Sequence, residues 1–258
     1  MAFSFEDHIL RAIKQNVRYD GRKNDEYREV SVETGVSRTA EGSARVKIGD
    51  TEVIAGVKLD IATPYPDAGE AGMLMVDVLL LPLSSSKFEN GPPSIDAIEL
   101  ARVTDRGIRE SECVDMKKLC IVKDEKVWSV SIDIVTVNAD GNLFDAASLA
   151  AMAALKDTKM PELDKKTYKL DYKKRTKTGL PMLKEPLGIT VWKVGDQIVL
   201  DPTAIEEDAF GTRLTVTTLK NGEICAMQKG RESSLTADDV AQIISIAKKQ
   251  SKELRKHL

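Results

Sequence analysis

Histidine and cysteine are scarce in this chain of 258 residues, and their scarcity removes whole classes of chemistry. His8 and His257 stand near the two ends, so no histidine-based triad or metal cluster assembles between them without special folding. Both are read as exposed helix residues. Cys113, Cys120 and Cys225 are an odd set without CxxC spacing, which fits thiols of a reducing compartment better than a disulfide frame or zinc knuckle. Aromatics make up only 5% of the chain, and they are not interleaved with basic residues as in many single-strand binders. No apolar run approaches the roughly 20 residues needed to span a bilayer. Met1 to Val17 carries acids inside a helical pattern, unlike a secretory signal, so an intracellular, cytoplasmic location is expected. Net charge is −3, which argues against a protein that grips nucleic acid over its whole surface.

One absence is local. Asp140-Gly141-Asn142-Leu143-Phe144 runs from an alternating apolar strand into the alanine-rich stretch Ala146 to Leu155. Strand, glycine turn and helix N-terminus together make a ready anion site, because free backbone N–H groups and the helix dipole converge there. Yet no Lys, Arg, Ser or Thr stands between Val137 and Ala147. Asn142, Leu143 and Phe144 therefore read as a degenerate phosphate site.

Hydrophobic periodicity supplies the elements. Ser4 caps a first helix with Asp7 three residues on, and Phe5, Ile9, Ala12 and Ile13 form its apolar stripe. Tyr27 to Val36 alternates; Ser43 to Ile48 and Thr51 to Leu59 form a hairpin turned at Gly49-Asp50. Met73 to Leu81, almost continuously apolar, suits a strand buried on both faces, and Lys126 to Val137 gives a long strand. A helix spans about Asp96 to Cys113. Gly188 to Val194 with Gln197 to Leu200, and Thr212 to Leu219 with Glu223 to Gln228, are further hairpins, and a helix capped by Thr236 closes the chain. The class is α+β. Residues 1–26 form an N-terminal helix and arm, 27–155 a first half, and 188–258 a second half with the C-terminal helix. Between the halves, 156–187 reads as a connector. Ten basic residues against five acids between Lys156 and Glu185 leave it net +5, a solvated basic surface or an RNA contact.

Three constellations remain. Asn138-Ala139-Asp140-Gly141 fails as a calcium loop, since Thr136 and Ala147 fall where carboxylates are required. Asp201, Glu206, Glu207 and Asp208 follow the strand ending at Leu200; they are either a solvated acidic loop or carboxylates for general acid work or Mg²⁺ binding. Arg102, Arg106 and Arg109 fall within about 60° of one another on a helix, a ridge suited to phosphate oxygens. Glu99, Asp105 and Glu110 are spaced to pair with all three, so a surface laced by ion pairs accounts for them equally.

Arg18-Tyr19-Asp20-Gly21-Arg22 with Tyr27-Arg28, Ala40-Glu41-Gly42-Ser43-Ala44, Gly49-Asp50-Thr51-Glu52-Val53, and Asp140-Gly141 before Ala146-Ala147 resemble ribonuclease PH-like proteins. Glu89-Asn90-Gly91-Pro92-Pro93, the run from Ile98 to Ser111, and Leu200-Asp201-Pro202-Thr203 with Glu206-Glu207 are most similar to the family's non-catalytic branch in the archaeal exosome.

The resemblance implies a ribosomal-protein-S5-like βαβα half and a smaller α+β half. It also implies a ring of three heterodimers with a catalytic paralogue, RNA-binding cap subunits, and 3′-to-5′ phosphorolysis of single-stranded RNA. Active members place Thr and Arg where Leu143 and Phe144 stand, and adjacent arginines where this chain has Phe88-Glu89-Asn90-Gly91-Pro92. Their catalytic aspartate falls near Glu207. The expectation is a non-catalytic subunit without metal or cofactor, in which Arg102, Arg106 and, less directly, Arg109 meet RNA phosphates. An active exoribonuclease using Glu207 or Asp208 as general acid is the alternative. A free-standing RNA-binding module fits the acidic pI less well.

Overall fold

Alternation along the first half builds one mixed sheet. In the computed structural model, which describes residues 5–164 and 166–258 (backbone alone at 5, 6, 173 and 175), helix α1 (Phe5–Lys14) is followed by β1 (Val30–Thr34), β2 (Gly42–Ile48), β3 (Thr51–Ala62) and β4 (Met73–Leu79). Then come α2 (Ile95–Glu110), a short 3₁₀ turn, β5 (Cys120–Val122), β6 (Lys126–Asn138) and α3 (Leu143–Asp157). The main path of the sheet is β1-β2-β3-β6-β4, with β5 beside β6, and β4 alone runs parallel to its neighbour. The cap expected at Ser4 and the side chain of Phe5 lie outside the described residues, while Ile9 and Ile13 of α1 are buried as expected.

Continuous apolarity misled at β4. It was expected to be covered on both faces, but it is the edge strand and leaves Met75 40% and Leu79 53% exposed. Helix α2 covers only its inner side, where Leu74 and Val78 are buried.

The connector also differs from its expectation. It holds β7 (Lys159–Leu163) and β8 (Leu170–Gly179), paired antiparallel as a separate ribbon. Its charge hides the pairing, because solvated strands show no apolar period.

The second half consists of β9 (Leu187–Val194), β10 (Gln197–Leu200), α4 (Ala204–Ala209), β11 (Thr212–Thr218), β12 (Ile224–Gly230) and α5 (Ala237–Leu254). Its sheet is ordered β10-β9-β11-β12, all antiparallel. Thr236 caps α5 with Asp239 in a reciprocal capping box, and burial follows Ile243, Ala247 and Leu254.

Helix α3 is the centre. It packs on β2 and β3 on one side and on β9 on the other. A helix between two sheets needs small residues on most sides, which explains why Ala146, Ala147, Ala150, Ala151, Ala153 and Ala154 are all buried. The larger Leu149, Met152 and Leu155 fill the gaps between sheets, each worth about 1.5–3 kcal/mol of burial. Helix α5 closes the far side of the second sheet against β9 and β11.

Candidate nucleic-acid interface

Helix α2 begins where Ser94 Oγ accepts from Ala97 N–H (3.2 Å). It buries Ala97, Leu100, Val103, Thr104, Gly107 and Ile108. Arg102, Arg106 and Arg109 all stand exposed on the opposite face. Of the ion pairs that spacing allowed, one forms. Arg109 clasps Asp105 through Nη2 (2.7 Å) and Nε (3.0 Å) and also donates to Leu74 O (3.0 Å). The hydrogen bond it donates to Asp105 holds the guanidinium pKa above its usual value.

Arg106 makes a single long contact to Gln228 Oε1 (3.3 Å), and Arg102 makes no hydrogen bond or ion pair among the described residues. Glu99 does not face Arg102; it pairs with Arg213 Nη2 at 2.7 Å. The reason is burial: the Arg213 side chain is only 6% exposed and needs a counter-ion far more than a solvated arginine does. The ridge therefore grades from open (Arg102) through lightly held (Arg106) to engaged (Arg109).

At the start of α3 the amide of the N-cap residue is already taken. Gly141 turns the chain with φ +81°, and a Cβ there would come within 2.3 Å of Pro202 O, so this turn sits tightly on the segment leading into α4. Asn142 follows in the left-handed region (φ 53°). Its N–H donates to Glu207 Oε1 at 2.7 Å, and its Nδ2 donates to Asp201 Oδ1 at 2.8 Å. A carboxylate of the protein thus occupies the place an external anion would take.

The acidic cluster is not a solvated loop. Asp201 is wholly buried and accepts from Arg28 Nη2 (2.8 Å), Arg28 Nε (2.9 Å) and Arg22 Nη1 (2.9 Å). Burial pushes its pKa up, but the hydrogen bonds and charge of Arg28 outweigh burial and hold it below the usual value. Glu206 is buried against Arg18, whose Nη2 and Nε reach its two oxygens at 2.5 and 3.0 Å. Glu207 is pushed up to about 7 by burial, against the Asn142 N–H and the charges of Arg213, Arg231 and Arg28. Asp208 is exposed and paired with Lys87.

Leu143 and Phe144 line a cleft of about 310 Å³ together with Leu80, Phe88, Glu207 and Arg213. Arg213 is held between two rings, 4.3 Å from the Phe144 centroid and 5.5 Å from that of Trp192. No hydroxyl or cation from residues 142–144 enters this cleft.

Models of the two domains of the 3′ exoribonuclease family match residues 26–161 (domain 1) and 184–250 (domain 2). The chain belongs to this family. Among its relatives, a protein named exosome complex component Rrp42 from Methanocella arvoryzae is 48% identical over 98% of this chain and 94% of its own length. One of the same name from Thermococcus gammatolerans is 45% identical over 100% and 95%. The fold superposes on a chain of the Archaeoglobus fulgidus exosome with RNA bound to the active site, with a TM-score of 0.90 and 42% identity over 97% of this chain and 96% of that one. An archaeal exosome core gives 0.86 at 39% identity, over 97% and 94%. The ribonuclease PH-like fold expected from the motifs is therefore the fold of this 3′ exoribonuclease family member.

Sequence reasoning did not find the partners of the acidic cluster. Arg18, Arg22 and Arg28 were visible only as a family motif, and Arg213 went unremarked. No local pattern links residues more than 170 positions apart. Another buried acid was also missed: Asp145 accepts from Tyr27 OH and Thr190 N, and burial, working against those hydrogen bonds, raises it to about 7.

Proposed function

We propose that this chain is the non-catalytic ring subunit of an archaeal exosome and that it holds RNA phosphates on the exposed arginines of α2. The observation that carries the reading is the contrast within one family fold: the N-cap amide suited to phosphate is filled by Glu207, whereas Arg102 stands exposed with no partner among the described residues. Phosphorolysis needs positioned cations to set a phosphate nucleophile against RNA. Here Lys87 and Arg213, at the cleft, are each paired with a carboxylate. The active-enzyme alternative keeps a possible acid, since a carboxyl near 7 suits proton transfer at neutral pH, but lacks the phosphate site.

In this reading Arg102 and Arg106 meet the phosphates of a single-stranded RNA 3′ end, and Arg109 assists only by releasing Asp105. The catalytic paralogue completes the cleft in a cytoplasmic ring of three heterodimers, and cap subunits deliver RNA. No helix of the described residues is long and apolar enough to cross a membrane. No metal or organic cofactor belongs to the assignment.

RNA affinity measured against salt on the reconstituted complex tests it. Arg102→Glu and Arg106→Glu are expected to weaken binding, each flattening the salt slope by roughly one unit, with assembly intact. Unchanged affinity in both variants overturns the RNA-contact assignment. Turnover by the isolated chain that vanishes in Glu207→Ala would instead promote the enzyme reading.

A further inference from the structure

The cleft at the start of α3 contains the usual parts of an anion site, and three of them already have an internal partner. Asn142 N–H is taken by Glu207, the Arg213 guanidinium by Glu99, and the Lys87 ammonium by Asp208. The three acids come from two elements, Glu99 from α2 and Glu207 and Asp208 from α4. Arg231 adds a cation 6.0 Å from the Trp192 ring centroid, and Asp96 adds a fourth carboxylate at the rim. Four carboxylates against three cations leave the cleft with no surplus positive charge.

The capacity for a ligand is not fully used up. Trp192 is 2% exposed and lines the cleft, yet its Nε1 has no acceptor among the described residues. A buried N–H without a partner is uncommon and leaves an unfilled donor in the cleft wall.

We propose that Glu207, with Glu99 and Asp208, is a specificity-determining group: these internal carboxylates keep inorganic phosphate and RNA phosphates out of a latent anion site and leave them to the arginine ridge. The partition runs along a single helix. Glu99 lies less than one turn before Arg102, so one end of α2 presents acid to the cleft and the next turn presents open cation to solvent. An RNA end that entered the cleft would be bound where no chemistry follows. The assignment of RNA to the ridge rests on the function proposed above, whereas the latent anion site does not.

The test is a phosphate titration of the full-length chain, read by melting temperature and tryptophan fluorescence. Wild type is compared with Glu207→Ala, with Glu207→Gln, and with the triple variant Glu99→Gln, Glu207→Gln, Asp208→Asn. Wild type is expected to show no saturable response, and the triple variant to bind phosphate at least about tenfold more tightly than wild type. The glutamine and asparagine variants preserve shape, so they stand if the alanine variant fails to fold. In the complex reconstituted with the catalytic paralogue, the triple variant is expected to lower kcat and KM for RNA together, with kcat/KM unchanged, the signature of non-productive binding. Equal phosphate binding by wild type and triple variant overturns the proposal. Phosphate binding gained in the triple variant, with RNA affinity unaffected by Arg102→Glu, would leave the latent site standing and remove the ridge.

Discussion

The cleft before α3 and the ridge on α2 both carry arginine, and they differ in how deeply the key arginine is held. Arg213 is nearly buried, lies between two rings and is paired with Glu99, so its charge is spent inside the molecule. Arg102 is exposed and has no partner among the described residues. Residue type does not decide which cation meets a ligand; burial does, because a buried charge must be compensated and captures the nearest acid. The acid captured here is Glu99, which by helical spacing could have served Arg102.

The largest effect expected from disturbing this contrast lies on the buried side. Arg18→Ala leaves Glu206 without its partner and strips a donor from Leu200 O and Asp201 O. A loss of roughly 3–5 kcal/mol in unfolding free energy is expected, measured by chemical denaturation. A loss under 1 kcal/mol would show that the network is decoration.

On the open side, alanine substitutions of the ridge are expected to rank by freedom. Arg102→Ala should weaken RNA binding of the complex most, Arg106→Ala less, and Arg109→Ala least, by filter binding at fixed salt. Equal losses at all three would mean that the clasp of Asp105 on Arg109 opens at no cost.

How far this contrast could be read in advance varies along the chain. Hairpins turned at Gly49-Asp50 and Gly195-Asp196 were legible because turn chemistry and apolar alternation are local. The alanine-rich sequence of α3 is local in the same way, and its small residues suit the close packing seen there. The vacancy of the phosphate turn at Leu143 and Phe144 could also be read, since it is an absence along the chain. What took its place could not, because Glu207 reaches Asn142 across 65 positions and Arg28 reaches Asp201 across 173. The edge position of β4 was hidden too: an apolar run reports hydrophobicity and does not say which neighbour is missing.

A smaller effect concerns acidity. Burial raises Glu207 from its ordinary 4.5 to about 7, so the folded chain keeps a proton that the unfolded chain releases. Stability contributed this way is complete below about 4.5, falls as pH climbs to about 7, and is level above. Glu207→Gln should therefore shrink the drop in melting temperature between pH 5 and pH 8. Asp145 acts with the same sign, so part of the drop should persist. An undiminished slope would place the proton elsewhere.

The smallest change expected is Asp105→Ala. The Asp105–Arg109 pair is partly solvated, and its loss should cost under about 1 kcal/mol by thermal denaturation. Freed from its clasp, Arg109 should add slightly to RNA affinity, bringing the ridge closer to three equal cations.

Helix α3, packed between β2 and β3 on one side and β9 on the other, has a consequence for how the molecule comes apart. Neither half can open without stripping a layer from this shared helix, so the sequence division into two halves does not mark two independent units of unfolding. Amide hydrogens along Ala146–Leu155 should exchange only through global opening, and those in both sheets should share that rate. Cutting the ribbon between the halves would then sever the chain and leave the two fragments associated, held by the helix they have in common.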